Sequence, residues 1–159
     1  MGDPPLIDRT SDEHFMGEAL RQARLAYDTA EVPVGAVVVH AGRIIARAHN
    51  QVELLKDATA HAEMLAITQA AHALGDWRLE QCALFVTKEP CPMCAGAIVL
   101  SRVARLVFGA RDERAGGAGS VFPITSTPGL NHRVEVVAGV QEEKARRLLQ
   151  EFFRAKRIN

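Results

Sequence analysis

Apolar positions fall every three or four residues at Phe15, Met16, Ala19, Leu20, Ala23, Ala26 and Tyr27, which predicts a first helix running to about Asp28. Thr10 and Glu13 have capping-box spacing at its start, and residues 1–9, with two prolines, read as a loose leader. The pattern then changes period. Val34–His40 is a β-branched run and Ile44–Ala48 a second apolar stretch, and the Ala41-Gly42 pair between them suits a hairpin turn. A second helix is expected from Ala60 to about Leu74, capped by Thr59 and stopped by Gly75. Cys82–Val86 reads as a strand. Pro90-Cys91-Pro92 opens a third helix, because a proline in the first turn forfeits no helical hydrogen bond. Arg105–Phe108 and Arg133–Val137 are two more strands, separated by a Gly-, Ser-, Thr- and Pro-rich stretch from Arg111 to Gly129 that is long enough to suggest a functional role. Ala145, Leu148, Leu149, Phe152 and Phe153 give the last helix its apolar stripe.

This order predicts a three-layer α/β/α fold with a central mixed five-stranded sheet flanked by helices. Its pairing is antiparallel in the opening hairpin and parallel in the strand-helix-strand middle. At 159 residues the chain is expected to form one domain, and a composition of 48% hydrophobic and 24% charged residues excludes a disordered one. No apolar run approaches the roughly 20 residues that cross a bilayer. The N-terminus lacks a signal-peptide core and the Ser or Thr of a myristoylation motif. Three cysteines, two of them in a C-x-x-C pair, do not make a secreted disulfide framework, so a cytoplasmic location is expected. The net charge of zero excludes electrostatic attraction of the whole molecule to nucleic acid. Beyond Gln141, however, Lys144, Arg146, Arg147, Arg154, Lys156 and Arg157 outnumber Glu142, Glu143 and Glu151. Such a helix can track phosphates or be no more than a solvated face, and charge alone leaves both open.

The chemistry concentrates at two helix starts. His61, Cys91 and Cys94 offer one imidazole and two thiols, the donor set zinc prefers, and the two cysteines lie three apart in a first helical turn. Three protein ligands with an open fourth position is the catalytic pattern, whereas a structural zinc usually has four. A dithiol redox pair would leave His61-x-Glu63 without a purpose. Cys82 could close a structural site, but its strand register groups it with Leu84 and Val86, in favour of buried packing. Glu63 is suited to carry protons between water, a ring nitrogen and a leaving amine, although an exposed helix glutamate is the bland alternative. Positions two apart on a helix point in nearly opposite directions, so His61 must stand at the very start of its helix.

His61-Ala62-Glu63 followed by Pro90-Cys91-Pro92-Met93-Cys94 resembles the signature of the cytidine deaminase superfamily. Glu31-Val32-Pro33-Val34-Gly35-Ala36, Asn50, Phe108-Gly109-Ala110-Arg111-Asp112, Gly119-Ser120, Asn131-His132-Arg133-Val134-Glu135 and Phe152-Phe153-Arg154 extend the likeness to the bacterial tRNA-specific adenosine deaminases, from about Phe15 to Arg157. The resemblance implies a cytidine-deaminase-like fold, one zinc ion per chain, and Glu63 as general acid/base beside the metal. It also implies hydrolytic deamination of adenosine to inosine at the wobble position of a tRNA anticodon stem-loop, and a homodimer. By the same resemblance Asn50 holds the flipped purine and Ala62 lies on the substrate side. Arg111, Asp112, Asn131, Phe153 and Arg154 line the path of neighbouring nucleotides.

From the residues alone, a turn residue closing the hairpin is the favoured reading of Asn50, and Asp112 can be a turn or cap residue. One of the adjacent Phe152 and Phe153 should be core, leaving the other for stacking or an interface. Asp57-Ala58 stands where the family usually has Asp-Pro, which is expected to loosen the approach to His61. Residues 121–127 also depart from the family's aliphatic pattern. Two other functions compete. A free-base guanine or cytosine deaminase uses the same zinc chemistry, but has no need of the basic C-terminal helix or the Arg111-Asp112 loop. A zinc-stabilised RNA-binding module without catalysis has no need of Glu63.

Overall fold

A computed structural model describes residues 11–158. The first helix, α1 (Asp12–Asp28), is followed by a hairpin of β1 (Gly35–His40) and β2 (Arg43–His49), then a single turn α2 (Val52–Leu55) and α3 (Ala62–Leu74). Next come β3 (Cys82–Lys88), α4 (Pro92–Leu100), β4 (Arg105–Ala110), a 3-10 turn at Ile124–Ser126, β5 (Glu135–Val137) and α5 (Glu142–Ile158). The sheet order is β2-β1-β3-β4-β5, antiparallel across β2-β1-β3 and parallel across β3-β4-β5.

Strand alternation sorts the core into two layers. Val38, Leu84, Val86, Leu106 and Phe108 face α3 and α4, where they meet Ala62, Ala66, Ala70 and Ile98. Val37, Val39, Phe85 and Val107 face the other way, onto Phe15, Met16 and Ala19 of α1. The five-stranded mixed sheet between helices is therefore as the hydrophobic periodicity predicts. Ala41 and Gly42 both have positive φ, 51° and 75°, as a two-residue type I′ hairpin turn requires. Gly35 is needed for a different reason: a Cβ there would lie 2.1 Å from the Ala19 carbonyl oxygen and 2.3 Å from the Ala23 nitrogen, so β1 can approach α1 only without one. Arg105 donates to both carboxylate oxygens of Asp12, at 2.6 and 2.8 Å, which ties the start of α1 to the start of β4.

Several boundaries differ from the sequence expectation. The capping-box Thr10 and the leader lie outside the described residues, and Ser11 caps α1 by accepting a hydrogen bond from the His14 N–H at 3.1 Å. Thr59 does not cap α3: its N–H and hydroxyl both donate to Asp57, and the helix begins two residues after the expected Ala60, with His61 at the N-cap. The last strand starts at Glu135 rather than Arg133. Neither α2 nor the 3-10 turn was signalled by periodicity, because single turns are shorter than the window that reveals a period.

Candidate metal centre and its cavity

Two helices begin at the C-terminal side of the sheet's middle strands, each with a prospective ligand as its N-cap. His61 caps α3 with extended backbone, φ −75° and ψ 151°, and Cys91 caps α4 with φ −70° and ψ 172°. An extended cap lies outside the helical period, so His61 and Glu63 are free of the opposite-face constraint that a regular helix imposes two residues apart. Pro92 follows at the first helical position, where its missing N–H has no partner to lose. Cys94 completes the turn.

His61 Nδ1 lies 3.6 Å from Cys91 Sγ and 3.5 Å from Cys94 Sγ, and one ligand atom from each of the three residues falls within 4.8 Å of the others. Nitrogen and sulfur bound tetrahedrally to one zinc, at about 2.0 and 2.3 Å, stand roughly 3.6 Å apart. The residues therefore fit such an ion in both donor type and spacing. A hydrogen bond from Cys94 holds the Cys91 thiol down at about 4, while Cys94 is pushed up by that pairing and by burial. Pairing with Cys91 raises His61, against the effect of its own burial. A divalent cation among these atoms displaces the protons, which makes metal affinity pH-dependent.

Glu63 is 4% exposed, and burial pushes its carboxyl above the ordinary glutamate range. Together with His61 and Cys91 it lines a cavity of about 270 Å³, whose walls also include Asn50, Lys88, Glu89, Asp112, Phe152, Phe153 and Lys156. Asn50 is buried, and its Oδ1 accepts the N–H of Ala62 at 2.8 Å. This bond fixes the peptide that follows His61, so Asn50 is not the hairpin-turn residue that sequence alone favoured. Ala62 is fully buried and contributes that N–H rather than cavity wall. Asp112 is both a turn former and a cavity residue: its Oδ1 accepts the N–H groups of Arg114 and Ala115, and its Oδ2 lies 3.3 Å from Lys88 Nζ. The Asp57 carboxylate accepts hydrogen bonds from the Thr59 N–H and hydroxyl, which close the turn before His61 without a proline.

Phe152 is buried against Tyr27, their rings 6.0 Å apart, while Phe153 is 39% exposed on the same cavity wall. Arg111, Asn131 and Arg154 are exposed and outside the cavity lining. Arg111 pairs with Glu142 at 3.6 Å, and Arg146 is engaged by Glu142 and Glu143 within α5. Sequence reasoning missed Glu89 and Glu31. Glu31 accepts the N–H groups of Glu53 and Leu54 at 2.9 and 2.8 Å, holding α2 over the cavity. Glu89 gathers the 111–120 loop. The available signal for Glu89 was its place directly before Pro90-Cys91, and Glu31 offered none beyond its place in the resemblance.

The profile of the MafB19-like deaminases matches residues 10–157. The tRNA-specific adenosine deaminase of Bacillus subtilis is 52% identical over 145 residues, which is 91% of this chain and 90% of that relative. The chain belongs to the tRNA-specific adenosine deaminases. A solved structure from work on A-to-I editing by tRNA:A34 deaminases at the wobble position of transfer RNA is 44% identical. It superposes with a TM-score of 0.82 over 85% of this chain and 98% of its own. The guanine deaminase from Nitrosomonas europaea shares the fold at 28% identity, with a TM-score of 0.79 over 95% of this chain and 93% of its own. Family and fold thus agree with the resemblance carried by the two signature segments. No helix among the described residues is long and apolar enough to cross a membrane.

Proposed function

We propose that this deaminase converts adenosine to inosine at the wobble position of a tRNA anticodon, with one zinc ion held by His61, Cys91 and Cys94. The observation that carries the proposal is the burial of Glu63 on the wall of the cavity onto which His61 and Cys91 open. When bound, zinc supplies the Lewis acidity that lets water act as a nucleophile near neutral pH. Glu63 takes one proton from the attacking water and delivers it to N1 of the purine. It then moves the hydroxyl proton to the departing amine, so that adenosine and water become inosine and ammonia. Burial suits Glu63 to this exchange, because a raised carboxyl pKa lies closer to the pH at which it must both accept and release a proton.

Asn50 spends its carbonyl oxygen on Ala62, which leaves its NH₂ group to hold a purine acceptor, and Ala62 serves the substrate side through the backbone turn that this bond fixes. Exposed Phe153 offers a stacking face, and Arg111, Asp112, Asn131 and Arg154 meet the flanking nucleotides. Residues 1–159 act as one deaminase domain in the cytoplasm, alongside the RNA substrate. The protein works as a homodimer, for which Leu54, Leu55, Leu100, Val121 and Phe122 provide exposed apolar surface.

The likeness to a guanine deaminase gives a free-base reading one specific support. Mass spectrometry of products tests the two together, with an anticodon stem-loop carrying wobble adenosine run beside free guanine and cytosine. Inosine in the loop alone is the expected result. Xanthine or uracil without inosine would establish the free-base activity instead, and no turnover of any substrate would support a binding module.

A further inference from the structure

Glu89 is 2% exposed, and among the described residues no lysine or arginine lies within ion-pair distance of it. Its charge is met by hydrogen-bond donors instead. Oε1 accepts the Asp112 N–H at 3.0 Å and the Ser120 hydroxyl. Oε2 accepts the N–H groups of Ala118 at 3.1 Å and of Ser120 at 3.0 Å. All four donors belong to one loop, the stretch that carries Asp112 and follows Arg111.

The same loop is fitted against the Cys91 turn. Gly117 donates its N–H to the Pro90 carbonyl at 2.7 Å, and a Cβ on Gly117 would lie 2.9 Å from Ala95 Cβ and 3.0 Å from the Cys91 carbonyl oxygen. A Cβ on Gly116 would lie 2.5 Å from the Glu89 carboxyl. Two adjacent glycines are thus required where the loop crosses Glu89 and the metal-ligand turn.

We infer that Glu89 is a positioning residue for the deamination: its ionised carboxylate clamps residues 111–120 onto the Cys91 turn, and so presents Arg111 and Asp112 to the nucleotides flanking the target base. The inference rests on the tRNA reading proposed above. Only a carboxylate satisfies the clamp. Glutamine has the same shape but one acceptor oxygen, and its NH₂ group must face either the Asp112 N–H or the pair from Ala118 and Ser120, donor against donor.

The test uses full-length Glu89→Gln and Ser120→Ala beside the wild type, with amide hydrogen exchange at Asp112, Ala118 and Ser120, zinc content, and steady-state kinetics on an anticodon stem-loop. In Glu89→Gln, exchange at these amides should quicken at least about tenfold and KM rise roughly tenfold, with kcat within about threefold of wild type and zinc unchanged. Ser120→Ala, which loses the hydroxyl donor alone, should raise KM by about two- to fivefold, and this variant decides the matter if Glu89→Gln does not fold. Unchanged exchange, an unchanged KM in both variants, or a collapse of kcat at constant KM would overturn the inference. Absence of inosine from the wild type would defeat the tRNA reading, while the exchange measurement would still judge the clamp.

Discussion

Replacing Asn50 by alanine removes the acceptor of one buried donor beside the metal ligands. Asn50 is 8% exposed, and its Oδ1 receives the Ala62 N–H at 2.8 Å, on the peptide that joins His61 to α3. An unpaired N–H at that depth costs about 1–3 kcal/mol. In a chain of this length each kcal/mol lowers Tm by about 2–4 °C, so Asn50→Ala should melt roughly 2–12 °C below wild type. The freed peptide carries His61, and its loosening should weaken zinc affinity about tenfold, the usual effect of losing support behind a metal ligand. Thermal melting of the zinc-free protein and competition with a chromophoric chelator measure the two effects separately. A Tm within 1 °C of wild type, roughly a third of a kcal/mol or less, together with unchanged zinc affinity would refute the reasoning.

Arg154→Ala should weaken RNA binding alike for all sequences and lower the slope of log affinity against log salt by about one, and an unchanged slope would relegate Arg154 to the helix surface. Gly35→Ala should destabilise by about 3 kcal/mol in urea titration, because both atoms it strikes are α1 backbone; a loss under about 1 kcal/mol would contradict the close approach. Burial alone would raise the Asp112 carboxyl, but the Arg114 N–H and the Lys88 ammonium hold it below the ordinary aspartate value. A depressed folded-state pKa contributes stability above the unfolded value near 4, and that contribution disappears as pH falls through the folded one. The stability gap between wild type and Asp112→Asn should therefore be full at neutral pH and narrow below about pH 4, and a gap independent of pH would deny the charge effect.

The elements that sequence located correctly are those whose signal is a period or a covalent constraint. The β-branched run Val34–His40 and the apolar stretch Cys82–Val86 were legible as strands, because helices cover both faces of the sheet and nearly every side chain along them is buried. Proline and glycine marked the start of α4 and the end of α3. The metal ligands were legible because zinc needs few residue types at restricted spacing. The requirement that His61 stand before its helix followed from geometry alone, and the structure has it there. Thr59 misled because a threonine before an apolar run has capping chemistry, yet it lies two residues ahead of the true N-cap, in a turn held by its own donation to Asp57. Asn50 and Glu89 were obscure for a shared reason. Their roles consist of hydrogen bonds to backbone groups 12 to 31 residues away, and a backbone N–H leaves no trace in residue identity. The stretch from Arg111 to Gly129 read as loop because its order comes from such bonds and not from a repeating apolar face.

The most direct test of the account is zinc content and inosine yield measured together on Glu63→Ala with the anticodon stem-loop. One zinc per chain should remain, since Glu63 is not among the three ligands, while inosine formation falls at least about a hundredfold, the lower end of what a positioned acid/base supplies. Turnover near the wild-type rate with zinc retained would contradict the proton-carrying role of Glu63, and loss of the metal itself would mean that the carboxylate, and not three side chains alone, holds the ion.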